Sequence, residues 1–393
     1  MKYRNLHMRR FAAILIGIFF LCTGLLKLMD PVGTMLIVTE YCKFFRVPFL
    51  LPAAKGLGIF FSLLECGLGV ALVTGVYRKV VAWCTLGLIG FFLIITGILW
   101  KANPDMDCGC FGEALHLTHA QSFWKNAILL ALALFAFLPI RHLGNPKPRR
   151  YVAAFLGWAS LIIAQVYCVR HIPPVDFTVF APGAELFASL DNDYQAEDGR
   201  QPAFIYEKNG QRGTFTLSNL PDSTWTFVAV DTLRRNLPGR REENPILSFR
   251  DAQGSYQDEL AVLGKVVVFS VYDPTKADWT LLQRQYQAVQ ETGAARPLLL
   301  VSGITPEEGG IPAGLEPFYA DYKTLITLNR SNGGASYFDK GELIGKWGKR
   351  DFPKNISESL AADPVDLATS LSVKKRIQAQ GFCLYLGAVL ILL

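Results

Sequence analysis

The sequence predicts an α-helical membrane bundle of four helices, with a fifth span and a short C-terminal span, carrying an α/β extracytoplasmic domain preceded by a small β region. Three observations predict it. Of 393 residues, 51% are hydrophobic and only 18% charged, below the roughly 25% charged residues of a soluble domain. The charge is unevenly placed: residues 1–170 hold 17 Lys and Arg against 6 Asp and Glu, and residues 171–393 hold 22 against 27. A basic, apolar front half beside a mildly acidic, polar back half reads as a membrane part carrying a water-exposed part. Third, long apolar runs fill the front half, and short strand-like and helix-like runs follow residue 246. This composition excludes an ordinary soluble enzyme. It also argues against a nucleic-acid partner, because the basic residues sit in short clusters between apolar runs and form no phosphate-tracking stripe.

Five apolar stretches are long enough to span: Phe11–Met29, Gly56–Tyr77, Val80–Trp100, Phe123–Ile140 and Tyr151–Val169. Each is near the ~20 residues that cross a ~30 Å hydrocarbon core. No small-x-small cleavage site follows the first, so it reads as an uncleaved span. Basic residues set the orientation. Ten lie before span one, between spans two and three, and between spans four and five; the alternate loops 30–55 and 101–125 hold five (Lys43, Arg46, Lys55, Lys101 and Lys125). The N-terminus is therefore expected on the cytoplasmic side, with the 30–55 and 101–125 loops and residues 170–373 on the outer side. Ile377–Leu393 is apolar but short, preceded by Lys374, Lys375 and Arg376. It reads as a sixth span within residues 374–393, with a shallow interfacial helix as the alternative.

Lys27, near the outer end of span one, and Glu65, near the middle of span two, are the first functional signal. An ionisable group at such a depth faces a partner or a wet cavity. The two are expected to pair, either to fix helix packing or to serve a site. Gly67, Gly69 and Gly75 allow close approach of a neighbouring helix.

Eight cysteines divide into two sets. Cys22, Cys66, Cys84 and Cys383 lie within apolar segments and read as small core residues. Cys42, Cys108, Cys110 and Cys168 fall at or beyond the expected outer face, where disulfides persist. The sharpest local pattern is Asp105-Met106-Asp107-Cys108-Gly109-Cys110-Phe111-Gly112. A bridge across one glycine closes a small strained ring, and a strained bridge is readily reduced. Asp105 and Asp107 oppose thiolate formation, so Lys101 or Lys27 would have to compensate. Three other readings stay open: structural bridges to Cys42 or Cys168, a metal site from Cys108, Cys110, His116 and His119, or inert thiols in a tight turn.

Three pieces of the front half resemble the DoxX and MauE type of membrane protein: Gly24-Leu-Leu-Lys27-Leu-Met-Asp30-Pro31, Glu65-Cys-Gly-Leu-Gly69 and Asp107-Cys-Gly-Cys-Phe-Gly112. They occur in order on successive spans. The resemblance implies a four-helix inner-membrane unit over about residues 10–140, linked to redox work outside the membrane. For MauE members it implies maturation of a disulfide-rich secreted enzyme subunit. The matching positions are Cys108, Cys110, Lys27, Asp30 and Glu65. This chain adds a fifth span at 141–169, the outer domain and the C-terminal segment.

Residues 170–184, with Pro173, Pro174 and Pro182, read as a linker. Residues 185–245 read as a small β-rich region: a hairpin of Ala203–Glu207 and Thr214–Ser218 around Lys208-Asn209-Gly210, and a strand at Thr224–Val230. Arg234–Asn244 reads as an exposed charged loop. Residues 246–362 show buried-type strands at Lys265–Tyr272 and Arg296–Ser302, a helix at Lys276–Thr292, a short helix around Leu325, and a hairpin of Gly334–Phe338 and Glu342–Trp347. This order resembles a thioredoxin fold. No cysteine lies between Cys168 and Cys383, and the site at the end of the first strand reads Tyr272-Asp273-Pro274. The domain is therefore expected to be a degenerate one that exchanges no disulfides. Asp273 reads as a helix N-cap, and His171 stands alone on the linker.

The leading expectation is a redox membrane protein. Cys108 and Cys110 would be its working thiols, with Lys27, Asp30, Glu65 and Asp107 supporting them or a quinone. Cys42 and Cys168 are the candidate bridge partners, and no metal is expected. The expected partners are the lipid bilayer and an extracytoplasmic client or envelope complex. The alternative is a non-enzymatic, membrane-anchored scaffold of such a complex.

Overall fold

The structure is a computed structural model and describes residues 2–104, 106, 108–140, 146–186, 203–208, 211–216, 226–231, 247–303, 311–312 and 314–392. Asp105, Asp107 and the Arg234–Asn244 loop lie outside the described residues. So does the Asn209-Gly210 turn.

The front half folds as α1 (Lys2–Met29), α2 (Pro31–Phe44), α3 (Ala54–Thr74), α4 (Arg78–Ala102), α5 (His119–Phe137) and α6 (Arg149–Arg170). Among the described residues, five helices are long and apolar enough to cross a membrane, at His7–Met29, Pro48–Thr74, Arg78–Ala102, His119–Phe137 and Pro148–Arg170. The chain is a membrane protein built on a helical bundle. Its core is apolar, with Ile16, Phe20, Leu28, Val70 and Ile89 buried, and its outer surface is apolar too. Phe11, Trp83, Ile94, Phe155 and Ile163 are exposed, while Thr23, Ser62, Glu65, Thr85, Thr96 and Asn126 are buried. Lipid offers polar groups no partner, so they turn inward; Asn126 Nδ2 donates to Thr96 Oγ1 at 3.2 Å.

The helix ends follow local rules. Asp30 caps α2 by accepting from Gly33 N, with Pro31 in the first turn. Thr118 and Gln121 form a reciprocal capping box on α5. Of the three glycines expected at close approaches, Gly69 meets α1 backbone directly, and a Cβ there would fall 2.9 Å from Gly17 O. Gly67 offers its carbonyl to Trp158 Nε1 at 3.0 Å. Gly75 instead ends α3 in the left-handed region, at φ 76°.

The segment 30–55 is more than a loop. Its α2 is short and only partly apolar, so hydropathy did not mark it, yet the Asp30-Pro31 cap starts it cleanly.

Residues 185–246 form a compact unit of their own, separate from the unit made by residues 1–184 and 247–393. Its described strands, β1 (Ala203–Lys208), β2 (Gln211–Thr216) and β3 (Thr226–Asp231), make an antiparallel sheet in the order β2-β1-β3.

The back half of the larger unit holds a six-stranded mixed sheet in the order β4-β7-β6-β5-β8-β9. The elements are β4 (Phe249–Arg250), β5 (Lys265–Val271), α7 (Trp279–Thr292), β6 (Arg296–Ser302), β7 (Pro317–Ala320), α8 (Tyr322–Leu328), β8 (Gly334–Asp339), β9 (Glu342–Trp347), α9 (Ile356–Ala361) and α10 (Pro364–Leu392). Strands β5, β6 and β7 are parallel; β8 runs against β5, and β9, antiparallel to β8, runs in the same direction as β5. Buried on both faces, β5 and β6 read as continuous apolar runs. Lys340 (φ 49°) and Gly341 (φ 84°) form the two-residue turn of the terminal hairpin. Strands β4 and β7 escape sequence reading because two and four residues are too short to show a period.

Four expectations need correction. Helix α7 starts at Trp279 with Asp278 as its cap, while Asp273 opens only a 3-10 turn. Residues 170–184 are not a free linker. Gly183 N donates to Leu343 O, Leu343 N donates to Ala184 O, and Asp176 pairs with buried Lys346 at 2.6 Å. His171 is not alone: its Nδ1 lies 2.5 Å from Asp351 Oδ1, and its ring stacks on Tyr167 at 4.4 Å. The C-terminal helix begins at Pro364, ten residues before the expected boundary. Its first turns pack on β9, where Leu371 covers Gly345, and Phe382, Leu386 and Leu390 pack on the bundle core.

Candidate functional site

Cys108 and Cys110 lie on the segment between α4 and α5, with their sulfurs 3.8 Å apart. All eight cysteines are free thiols. Helix α4 stops at Asn103, which adopts the left-handed conformation, and Gly109 turns the chain between the thiols at φ 62°. Helix α2 backs the turn. Ile37 occupies the space a Gly109 side chain would need, and Tyr41 Oη donates to Cys108 O.

The thiols share a cavity of about 230 Å³ within the bundle. Its walls are largely aromatic and aliphatic, including Phe19, Phe61, Phe91 and Phe92, and its polar lining includes Thr23, Lys27, Glu65 and Asn126. Lys27 Nζ and Glu65 Oε1 are 2.6 Å apart, and Thr23 Oγ1 donates to Glu65 Oε2 at 3.2 Å. The two intramembrane charges anticipated as a pair are thus joined, and both face the cavity that holds the thiols.

Electrostatics separates the two cysteines. The Cys110 thiol is pushed well below the ordinary range. The chief cause is the hydrogen bond from Cys108; burial opposes it, and the Lys125 and Lys27 ammonium groups reinforce it. Cys108 rises, because it holds the shared proton and is buried. Tyr41 also rises, through burial and then the neighbouring thiols, so it stays a neutral donor. Sequence reasoning looked to Lys101 or Lys27 for compensation and missed Lys125. Its Nζ sits 5.7 Å from the Phe19 ring centroid and 5.4 Å from that of Phe111. One signal was present: a lysine six residues into an otherwise apolar helix needs a partner at that depth.

The other candidates separate. Cys42 lines the same cavity; Cys168 is buried on α6 and is not part of its lining. Asp30 is outside it as well, and binds Arg330, whose Nε donates to Asp30 Oδ2 at 3.1 Å. Arg330 also pairs with Glu113 at 3.1 Å. Neither Arg330 nor Glu113 was foreseen, since nothing local marks a contact across 300 residues. The four-ligand metal grouping is not assembled. His119 Nε2 is engaged with Pro104 O at 3.0 Å, and no cluster of three or more His, Cys, Asp or Glu side chains gathers among the described residues.

The family described as methylamine utilisation protein MauE matches residues 7–139, which contain this whole cavity. Over that stretch the chain is MauE-like. The MauE-like unit ends before α6, so the fifth span, the mixed sheet and α10 are additions to it. A family described only as a domain of unknown function matches residues 202–235. Protein TlpB of Flavobacterium psychrophilum is 26% identical over 184 residues, covering 46% of this chain and 44% of that protein. The chain therefore spans less than half the length of this curated relative. No solved structure matches the chain.

Proposed function

We propose that this protein is a thiol–disulfide oxidoreductase of the bacterial inner membrane, with its N-terminus cytoplasmic and its Cys108–Cys110 loop and mixed-sheet domain periplasmic. The observation that carries the reading is the thiol pair itself: two sulfurs 3.8 Å apart, one pushed toward thiolate, both lining an apolar cavity beside Lys27 and Glu65. A lowered thiol next to a resolving thiol is the arrangement that disulfide exchange requires. Asp107 adjoins the pair in sequence and opposes the thiolate, which the lysines offset.

The cavity fits a lipid-soluble quinone as the electron acceptor. Aromatic walls suit its ring, and the Lys27 ammonium suits a ring oxygen. In one turnover the S–H bonds of Cys108 and Cys110 break and the S–S bond forms. Two electrons and two protons pass to the quinone, which becomes a quinol. A disulfide exchange with an extracytoplasmic client returns the pair to dithiols, leaving the client oxidised. The mixed-sheet domain, read as a thioredoxin-like domain without cysteines, holds that client or another envelope partner.

A second reading, a membrane-anchored scaffold of an envelope complex, is favoured by one observation. The end of β5, where a thioredoxin carries its thiols, is tied off by Asn332, which bonds the backbone of Asp273 in both directions at 3.0 and 2.7 Å.

The test is thiol trapping in membranes with a mass-shifting alkylator, comparing wild type with Cys108→Ser and Cys110→Ser. The redox reading expects the pair to become labelled after mild reduction and protected again on addition of quinone. A pair that never changes state leaves the scaffold reading.

A further inference from the structure

The bundle end remote from the cysteine loop holds a second cavity, of about 310 Å³, into which His7, Arg9, Arg10, Arg78 and Arg150 project. Among the described residues, no Asp or Glu lines it. Three of the four guanidinium groups are anchored on backbone carbonyls at helix ends. Arg10 donates to Leu72 O at 2.7 Å and Val73 O at 2.5 Å, in the last turn of α3. Arg9 donates to Ala136 O at 3.1 Å and Pro139 O at 3.3 Å, where α5 ends, and Arg78 donates to Gly75 O at 2.9 Å.

A helix C-terminus supplies only about half a negative charge. Four guanidinium groups around one cavity therefore exceed what two helix ends neutralise, and Arg78 and Arg150 both lie within electrostatic reach of Arg10. Retaining converged like charges is favourable when an anion sits among them. Each guanidinium carries five N–H donors in a planar fork, and Arg10 uses two of them on carbonyls. That fork matches phosphate oxygens. The remaining wall is apolar, with Val76, Val81 and Phe137, and lies where spans α3, α4 and α5 end. A free phosphate has no use for such a wall, whereas glycerol and acyl carbons do.

We propose that this cavity is a binding site for the phosphate headgroup of an anionic phospholipid, seated between the ends of α1, α3, α4, α5 and α6. The site is independent of the thiol chemistry proposed above.

The test uses the full chain purified in a neutral detergent. Its melting midpoint is followed against phosphatidylglycerol, phosphatidylcholine with the same acyl chains, and inorganic phosphate, with native mass spectrometry to count retained lipid. Phosphatidylglycerol is expected to raise the midpoint saturably and to remain as a one-to-one adduct, and the other two to do neither. Arg150→Gln removes a cavity charge whose side chain makes no hydrogen bond to the described residues, and is expected to raise the half-saturating lipid concentration about tenfold. Arg149→Gln removes the neighbouring charge, which is exposed and outside the lining, and is expected to leave it unchanged. Equal stabilisation by the two lipids, or equal loss in both variants, overturns the site. Stabilisation by inorganic phosphate alone overturns the lipid as its occupant.

Discussion

Arg330, on the mixed-sheet side of the larger unit, donates through Nε to Oδ2 of Asp30, at the junction of α1 and α2, at 3.1 Å. The same carboxylate accepts from Gly33 N at 2.8 Å through its other oxygen. One side chain therefore starts α2 and fastens the sheet domain to the bundle. The Arg330 side chain is 5% exposed, and Glu113, three residues after Cys110, completes its coordination. Lys323 and Glu40, 3.3 Å apart, form a second contact along α2. The sheet domain is thus held against the helix that backs the thiol turn.

Removing one partner of a buried ion pair leaves the other charge uncompensated, at a cost of about 3–5 kcal/mol. Arg330→Ala is expected to lower the melting midpoint. It should also speed hydrogen exchange in α8 and in α2, because both lose the same anchor. Unchanged exchange in α2 would show that Asp30 holds that helix by its cap alone.

The lowered Cys110 thiol predicts a pH profile. An ordinary thiol reacts with a small uncharged alkylator at a rate that falls about tenfold per pH unit below its pKa near 8.5. Since Cys110 is pushed down by Cys108, Lys125 and Lys27, its rate should stay nearly level from pH 8 to pH 6. Lys125→Met removes one favouring charge, so the pKa should climb and the rate at pH 6 should drop relative to that at pH 8. A wild-type rate that already falls tenfold per unit over this range would sink the assignment.

The Lys27–Glu65 pair, 2.6 Å apart with both side chains nearly buried, predicts non-additivity. Lys27→Met alone and Glu65→Leu alone should each destabilise by about 3 kcal/mol, because each strands a charge. The double variant should recover most of that loss. Thermal melting of the four proteins in one detergent checks it. Losses that simply add would mean the two groups act separately.

Gly109 predicts a loss with a partial rescue. Its φ of 62° suits glycine, and Ile37 fills the space a side chain would take. Gly109→Ala should cost about 1–2 kcal/mol for the left-handed backbone and about 1–3 kcal/mol more for the collision. Adding Ile37→Ala should relieve the collision and leave the backbone cost. Melting midpoints of the single and double variants separate the two parts.

Much of the architecture was legible because it rests on short-range patterns. Length and hydropathy of the spans, the apolar runs of β5 and β6, and the turn at Lys340-Gly341 are each carried by neighbouring residues. The pairing of Lys27 with Glu65 was also legible, since two opposite charges at comparable depth have few other partners. Strands β4 and β7 were not, because they exist only through their pairing with each other and, for β7, with β6.

By itself the sequence marked five stretches long and apolar enough to cross a bilayer and two thiols flanking one glycine, because hydrophobic transfer and covalent spacing are local properties. Only the tertiary structure decided which cation serves those thiols, where the sheet domain is fastened, and that four arginines converge on one cavity. Lys125 reaches Cys110 from the first turns of α5, Arg330 reaches Asp30 across 300 residues, and Arg10 meets Arg78 and Arg150 where separate helices end. A charge acts through distance in space, and that distance is set only when the helices pack.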